Sequence, residues 1–186
     1  MMDQFLEEVV TKKNRAAQTA AYIGANLLWI ILGLYAFLAM QAMMASLSAN
    51  GFDLGFLITL VQFLVPAGLA VLIFLYRDRA RTEYEYTFTN GQMDFAQVYN
   101  NKKRKGLGTM NLRNVEACGL VSSGSFQRYI NMQGIKRTNW FLNREAELLY
   151  FYFQKDGQKR IIIIEPSEEM TALIRKSLLQ GVWQIN

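Results

Sequence analysis

Two long apolar blocks dominate the first part of the chain. No Asp, Glu, Lys or Arg occurs in the range 16–52, and Asp53 is the one charged residue from there to the end of the second block. The apolar stretches, about 20–42 and 54–76, are each long enough for the roughly 20-residue helix that crosses a hydrocarbon core. We therefore predict a two-helix transmembrane hairpin over 20–76. A cleaved signal peptide is the alternative for the first stretch, and it is disfavoured because typical h-regions are shorter.

A shorter apolar pattern precedes the hairpin. Its apolar positions are Phe5, Leu6, Val9 and Val10. Phe5 and Val9 recur at helical spacing, and Asp3 is a suitable N-cap residue. The pattern predicts a cytoplasmic juxtamembrane helix within residues 1–19.

Strict alternation of polar and aromatic residues follows the second block, in the segment 83–89. Such alternation predicts a half-buried β-strand, and Asn90-Gly91 then predicts a two-residue hairpin turn. That turn pairs Phe88 with Met93, so apolar residues oppose each other. Further along, the apolar residues change face, and we predict a β-bulge near residues 96–97 to restore the phase.

A second hairpin is predicted near the C-terminus. An aromatic strand over 148–154 precedes Asp156-Gly157, and four consecutive isoleucines lie within 160–165. Both faces of this hairpin are apolar. One face belongs to the core, whereas the other must be covered by a helix, another sheet, the bilayer or a partner.

The remaining segments predict fewer elements. A further strand is expected within 109–121 and another from Trp140, whereas 122–139 shows no clear pattern. An amphipathic helix is predicted after Pro166, with Ser167 as N-cap and Gly181 as C-cap. Its apolar stripe consists of Met170, Leu173, Ile174, Leu178 and Leu179.

The order of several antiparallel strands and one closing helix resembles the pleckstrin-homology-like fold. The whole chain is also similar to a family of small two-span membrane proteins from Firmicutes-type bacteria, known as a domain of unknown function. The residues that carry this resemblance are Tyr84-Glu85-Tyr86, Thr89-Asn90-Gly91, Met93-Asp94-Phe95, Lys102-Lys103-Arg104-Lys105 and Arg160-Ile161-Ile162 before Pro166. The resemblance implies a membrane α-hairpin plus a mainly-β domain. That domain, residues 77–186, would be a cytoplasmic pleckstrin-like antiparallel β barrel or sandwich with a C-terminal helix.

Composition removes several classes of active site. The chain has no histidine and a single cysteine, Cys118. Ser-His-Asp and Cys-His nucleophile systems and His-bearing zinc sites are therefore excluded, as is an intrachain disulfide. No other catalytic constellation stands out, so we expect a protein that is not an enzyme and that needs no cofactor or metal.

The basic residues around the apolar blocks indicate the topology. They are Lys12, Lys13, Arg15, Arg77, Arg79 and Arg81, whereas the link between the blocks has none. The positive-inside rule places both termini in the cytoplasm, in a multi-pass protein of the cell membrane. Because these six residues account for part of the 20 Lys and Arg, the basic balance is a weak argument for nucleic-acid binding, which we disfavour.

The run Lys102, Lys103, Arg104 and Lys105 is the strongest candidate site. We expect it in the loop after the second strand, where it would meet anionic phospholipid head groups or a protein partner. A solvated surface loop is the competing interpretation. The predicted partners are therefore the lipid bilayer, anionic lipid and a protein partner or homodimer.

Small residues at helical spacing mark one side of the first apolar block. Ala17, Ala21, Gly24 and Ala25 would let another helix approach closely. That helix is either the second span of the same chain or a second copy. The homodimer interpretation leads to an alternative function, an assembly or scaffold subunit of a membrane complex that acts through helix–helix and strand-face contacts.

Overall fold

The computed structural model describes residues 4–185, which form two compact units. The helical unit is Asn14–Arg81, and the β unit combines Met1–Lys13 with Thr82–Asn186. The N-terminal segment therefore belongs with the β-rich part of the chain. This differs from the predicted division at residues 19 and 76, because the chain leaves the β unit, forms the helices and then returns to it.

The helical unit contains two long helices, α1 (Ala16–Asn50) and α2 (Leu54–Tyr76), followed by a 3₁₀ turn at Arg77–Ala80. The bounds of α2 match the prediction, whereas α1 extends beyond the predicted stretch at both ends. The Asp53 carboxylate caps α2 by accepting a hydrogen bond from the Phe56 N–H at 2.7 Å. Both helices are long and apolar enough to cross a membrane.

The two helices bury little of their surface. Small side chains are buried along α1 and α2, at Ala36, Ala39 and Ala70. Most large apolar residues on both helices are exposed, for example Leu38 at 66% and Val61 at 58%. A core helix of a soluble protein would bury such residues, so this exposure suggests an association of the helices with a membrane.

The segment before α1 is a β-strand, β1 (Phe5–Val10), so the predicted juxtamembrane helix is wrong. Asp3, the predicted cap, lies outside the described residues. Strand β1 pairs antiparallel with β2 (Thr82–Thr89). In the strand, Val10 is buried and Val9 is 50% exposed. The segment satisfies the period of a helix as well as that of a strand, and the pairing with β2 decides between them.

The first sheet has the order β1–β2–β3–β4, where β3 is Gln92–Tyr99 and β4 is Lys103–Asn111. The predicted Asn90-Gly91 turn is confirmed, with φ of 49° and 86°, and so is the pairing of Phe88 with Met93. The β2–β3 register is continuous, so the predicted bulge is absent from this pair. The register instead shifts between β3 and β4, next to Phe95 and Ala96.

The second sheet has the order β6–β8–β7–β5–β9. Its strands are β5 (Ala117–Leu120), β6 (Lys136–Trp140), β7 (Leu149–Lys155), β8 (Gln158–Ile164) and β9 (Trp183–Gln184). The predicted β7–β8 hairpin is confirmed, with Tyr150 opposite Ile163 and Tyr152 opposite Ile161. Strand β6 runs parallel to β8, and β9 runs parallel to β5. The described strands thus form one antiparallel and one mixed sheet, and they do not close into a barrel.

All four isoleucines of β8 are buried by the β unit itself. Ile162 and Ile164 face the main core between the sheets. Ile161 and Ile163 belong to a second cluster, which includes Phe126 of the short helix α3 (Gly124–Ile130). The segment without a clear sequence pattern therefore supplies the cover that the second face of the hairpin requires.

The closing helix α4 spans Glu168–Ser177. Ser167 is its N-cap as predicted, because its hydroxyl accepts a hydrogen bond from the Met170 N–H at 3.1 Å. Met170 and Ile174 are fully buried. The helix ends before Gly181, which instead adopts a φ of +83° in the turn that leads to β9.

Of the two weaker strand predictions, one is confirmed and one needs correction. The strand expected within 109–121 is β5, and the range also contains the end of β4 and a 3₁₀ turn at Leu112–Asn114. Trp140 ends β6 and does not begin a strand. Between β4 and β5 the chain passes from the first sheet to the second, and after Trp140 it leaves the second sheet. Local sequence patterns do not reveal where a chain changes or leaves a sheet.

Candidate functional site

The basic run lies at the tip of the β3–β4 hairpin. Lys102 is in the turn and the other three residues begin β4, so the run is mostly strand and not loop. The turn is made by Asn100 and Asn101, whose φ values of 51° and 52° suit asparagine. All four basic side chains are exposed.

The strand distributes these charges over both faces of the sheet. Lys103 lies opposite Tyr99 and Lys105 lies opposite Gln97, so these two lysines share one face. Arg104 points to the other face, where its Nε lies 2.6 Å from the Glu85 Oε2. The sequence-predicted site is therefore divided into Lys102 in the turn, the pair of Lys103 and Lys105 on one face, and Arg104, which is already ion-paired, on the other.

A shallow groove of about 740 Å³ lies beside Arg104 on the outer face of the first sheet. Gly106 and Gly108 line it, and no atom lies within 4 Å of a Cβ built on either glycine. The Thr109 hydroxyl donates a hydrogen bond to the Asp94 carboxylate at its edge. The groove therefore presents exposed backbone together with a mixture of polar and apolar side chains.

A hydrogen-bonded network fastens the segment that leads from β1 to α1. The Asn143 Nδ2 donates to the Thr11 carbonyl at 2.9 Å, and the Asn143 Oδ1 accepts from the Lys13 N–H at 2.8 Å. Glu165 in turn holds Asn143, because its carboxylate accepts from the Asn143 side chain at 2.7 Å and from the Asn143 and Leu142 N–H groups at 2.9 and 3.1 Å. Sequence reasoning missed this network, since its members are far apart along the chain.

Tyr86 extends this network into the main core. Its hydroxyl donates to the Trp140 carbonyl and accepts a hydrogen bond from the Glu165 N–H at 3.3 Å. Burial raises the pKa of the Tyr86 phenol well above its ordinary value, and the neighbouring Glu165 and Glu8 carboxylates add to this. The phenol therefore stays protonated and serves as a structural tie between the two sheets.

Cys118 is a buried core residue, as predicted. Desolvation by burial raises the pKa of its thiol, which disfavours the reactive thiolate. Within residues 4–185, no group of three or more Cys, Asp and Glu side chains is placed to hold a metal ion.

The small residues of α1 are placed mostly away from α2. Ala17, Ala21 and Gly24 are exposed, and only Ala25 is half-buried. A Cβ built on Gly24 would meet no atom within 4 Å. The exposure of the first three leaves room for another helix beside them, and contact with a second copy stays a prediction.

Arginine side chains stack on aromatic rings at one end of the helical unit. The Arg77 guanidinium carbon lies 4.0 Å from the ring centroid of Phe74 and 5.6 Å from that of Trp29. Arg81 lies 4.4 Å from the ring of Tyr22. The sequence marked these arginines only as topology signals, whereas their aromatic partners are visible only in the folded helices.

Comparison with known proteins places the chain in a family. A family model described as "Bacterial PH-like domain (DUF6106)" matches residues 2–184. No curated protein and no solved structure matches the chain. The match covers both helices and the two-sheet β unit, including α4 near its C-terminal end. The chain belongs to the bacterial PH-like domain family DUF6106.

Proposed function

We propose that this protein is a non-enzymatic integral membrane protein whose PH-like β unit docks on anionic lipid at the cytoplasmic face of the membrane. The observation that carries this proposal is the exposed lysine pair, Lys103 and Lys105, at the tip of a strand hairpin in a domain whose first two strands are joined through the apolar helices. The missing histidine and the buried Cys118 support a role in binding and not in catalysis.

The exposed helices support the membrane assignment. Large apolar side chains cover α1 and α2, and the chain leaves most of them uncovered. Hydrocarbon is the environment that stabilises such a surface, since exposure of this much apolar area to water is unfavourable.

The pairing of β1 with β2 supports the topology. These strands flank the helical hairpin in the sequence and are neighbours in one sheet. If α1 and α2 span a membrane, both ends of the hairpin must lie on the same side of it. The basic residues at both ends of the hairpin then favour the cytoplasmic side.

Electrostatics favours the lysine pair over Arg104 as the lipid contact. Each basic residue close to an anionic membrane surface contributes about 1 kcal/mol. Arg104 must first exchange its 2.6 Å contact with Glu85 for a contact with a phosphate. We therefore expect Lys103 and Lys105 to dominate binding.

The test uses the full chain in nanodiscs, because β1 comes from residues before the hairpin and a fragment that begins at residue 82 lacks it. A photo-crosslinking residue at Asn101 reports contact between the hairpin tip and phosphatidylglycerol. The double variant Lys103→Glu, Lys105→Glu is expected to reduce the lipid crosslink by about tenfold or more. The matched control is Lys155→Glu with Lys159→Glu, at the β7–β8 turn. An unchanged crosslink in the first variant would overturn the lipid assignment.

An assembly or scaffold subunit is the second candidate function. The exposed small residues Ala17, Ala21 and Gly24 favour it, because they leave room for another helix. The isoleucine strand no longer argues for it, since α3 covers its second face. Crosslinking in native membranes from a cysteine at position 21 should recover a dimer or a partner. Recovery of monomer alone would rule this function out.

A further inference from the structure

A narrow apolar groove of about 400 Å³ runs between α1 and α2. Small residues that line it include Gly33, Ala36, Ala67 and Ala70, and aromatic residues that line it include Trp29, Phe37, Phe63 and Phe74. No atom lies within 4 Å of a Cβ built on Gly33, so the groove is open beside this residue. The residues that line the groove can therefore make apolar contacts with an occupant along most of its length.

The groove ends next to a positive charge. Trp29 and Phe74 meet edge to face, with centroids 5.3 Å apart, and the Arg77 guanidinium stacks over both rings. The Arg77 Nε is buried and finds no hydrogen-bond partner in the described part of the chain. The Nε itself is out of reach of a ligand, but the guanidinium is partly exposed and keeps its positive charge beside the groove, so this end of the groove favours an anionic group.

We propose that the groove holds one acyl chain of an anionic phospholipid, whose phosphate pairs with the Arg77 guanidinium. The proposal rests on the membrane-spanning assignment above, which places the groove in the bilayer. An apolar helix of another protein would fill the groove but would leave the Arg77 charge without an anionic partner. A phospholipid suits both parts of the site, because its acyl chain matches the apolar lining of the groove and its charged head group matches Arg77.

The chemistry of arginine fits this role better than that of lysine. The guanidinium is planar, so it can stack on Phe74 and still direct an N–H group at a phosphate oxygen. A lysine ammonium keeps the charge but loses the stacking geometry. The aromatic rings therefore orient the Arg77 guanidinium, and the groove orients the acyl chain of the lipid.

The test measures quenching of Trp29 fluorescence by lipids with brominated acyl chains, in the full chain reconstituted into vesicles. Trp140 and Trp183 lie in the β unit, and a Trp29→Phe variant measures their background emission. Brominated phosphatidylglycerol is compared with brominated phosphatidylcholine. We expect phosphatidylglycerol to associate about fivefold more strongly near Trp29, the ratio that one basic residue near a lipid phosphate supplies.

Two pairs of variants separate the groove from the charge. Gly33→Leu fills the groove and should reduce quenching of Trp29 by both lipids, whereas Gly24→Leu should not, because Gly24 has equally open surroundings outside the groove. Arg77→Gln should abolish the preference for phosphatidylglycerol, so that the two lipids associate about equally strongly near Trp29. Arg79→Gln should keep it, since Arg79 stacks on Tyr76.

The outcomes distinguish this proposal from the one on which it rests. Equal quenching by the two lipids in the unmodified chain would overturn the phospholipid site and leave the membrane span standing. No quenching of Trp29 by either lipid would show that this residue is outside the hydrocarbon. That result would overturn the membrane span together with the site.

Discussion

The two units of the molecule treat apolar side chains in opposite ways. In the β unit, Ile161, Ile163 and Ile164 are fully buried by the chain itself. In the helical unit, Leu38 and Val61 are among many large apolar residues that remain exposed. The comparison shows that an apolar residue in the sequence predicts removal from water but not what replaces the water. In the β unit this is a packed protein core, and in our proposal it is the hydrocarbon of a membrane for the helices.

The largest expected effect tests this contrast directly. Ile163→Ala should lower the free energy of unfolding of the β unit by about 2–5 kcal/mol, because it opens a cavity in a filled cluster. Leu38→Ala on α1 is the control and should leave that free energy within about 0.5 kcal/mol. Denaturant unfolding in detergent of the chain with Trp29→Phe, followed by the fluorescence of Trp140 and Trp183 in the β unit, measures both. Equal losses would show that the two units do not differ in how they bury apolar groups.

The second prediction concerns the segment that connects the two units. Asn143→Ala removes the partners of the Thr11 carbonyl and the Lys13 N–H. We expect a loss of about 1–3 kcal/mol in local stability, because these two groups lose their partner and Glu165 loses the hydrogen bond from the Asn143 side chain. Amide hydrogen exchange at Lys13 measures it.

Asn139→Ala is the matched control for this change, since the Asn139 side chain is exposed and accepts a hydrogen bond from its neighbour in the same strand, the Arg137 Nε. Unchanged exchange at Lys13 in Asn143→Ala would show that the network does not hold this segment.

A close backbone approach at the edge of the second sheet supports a third prediction. A Cβ on Gly119 would lie 2.9 Å from the Gln184 carbonyl oxygen. Gly119→Ala should therefore displace β9 from β5 and lower the free energy of unfolding by about 1–3 kcal/mol. Gly106→Ala is the control, because a Cβ there meets nothing within 4 Å. Thermal unfolding of both variants decides the matter, and equal melting temperatures would contradict the clash.

The smallest effect is a pH dependence that belongs to the β unit. Burial raises the pKa of Tyr86 above the ordinary value of 10.0. The contribution of this phenol to stability is therefore complete below about pH 10, where the unfolded chain also keeps the proton. Above that pH the unfolded state ionises first, so stability should fall by up to about 1.4 kcal/mol per pH unit for this tyrosine.

Unfolding between pH 8 and pH 11 measures this slope. Tyr86→Phe should make the slope shallower, because phenylalanine has no proton to lose. Burial also raises the pKa of Tyr150, so some slope should persist in the variant. A slope that is identical in both proteins would show that Tyr86 is not the group responsible.

The hairpins could be predicted in detail because their information is local. A two-residue turn and alternating strands set the register of Tyr150 with Ile163 without any knowledge of the rest of the fold. Strand β1 could not be predicted in this way. Its partner β2 follows the whole helical hairpin, and the spacing of Phe5 and Val9 suits a helix equally well.

The candidate site was predictable only in part. The basic residues were found from their charge, but their division between two faces depends on the register that places Lys103 opposite Tyr99. The sequence indicates only a topological role for Arg77. Its stacking on Phe74 and Trp29 depends on how α1 packs against α2. The partners of such side chains come from distant segments, so no local pattern identifies them.

The sequence by itself determined the two long apolar helices, the two tight hairpins and the capped helix α4, because each depends on composition or on short-range spacing. Only the tertiary structure decided that the first strand completes a sheet across the helical insertion, and that α3 covers the isoleucine strand. The tertiary structure also decided the partners of charged side chains, such as Glu85 for Arg104 and the Phe74 ring for Arg77. The physical reason is the same in each case: burial and hydrogen bonding between remote segments outweigh the weak local preferences of the segments themselves.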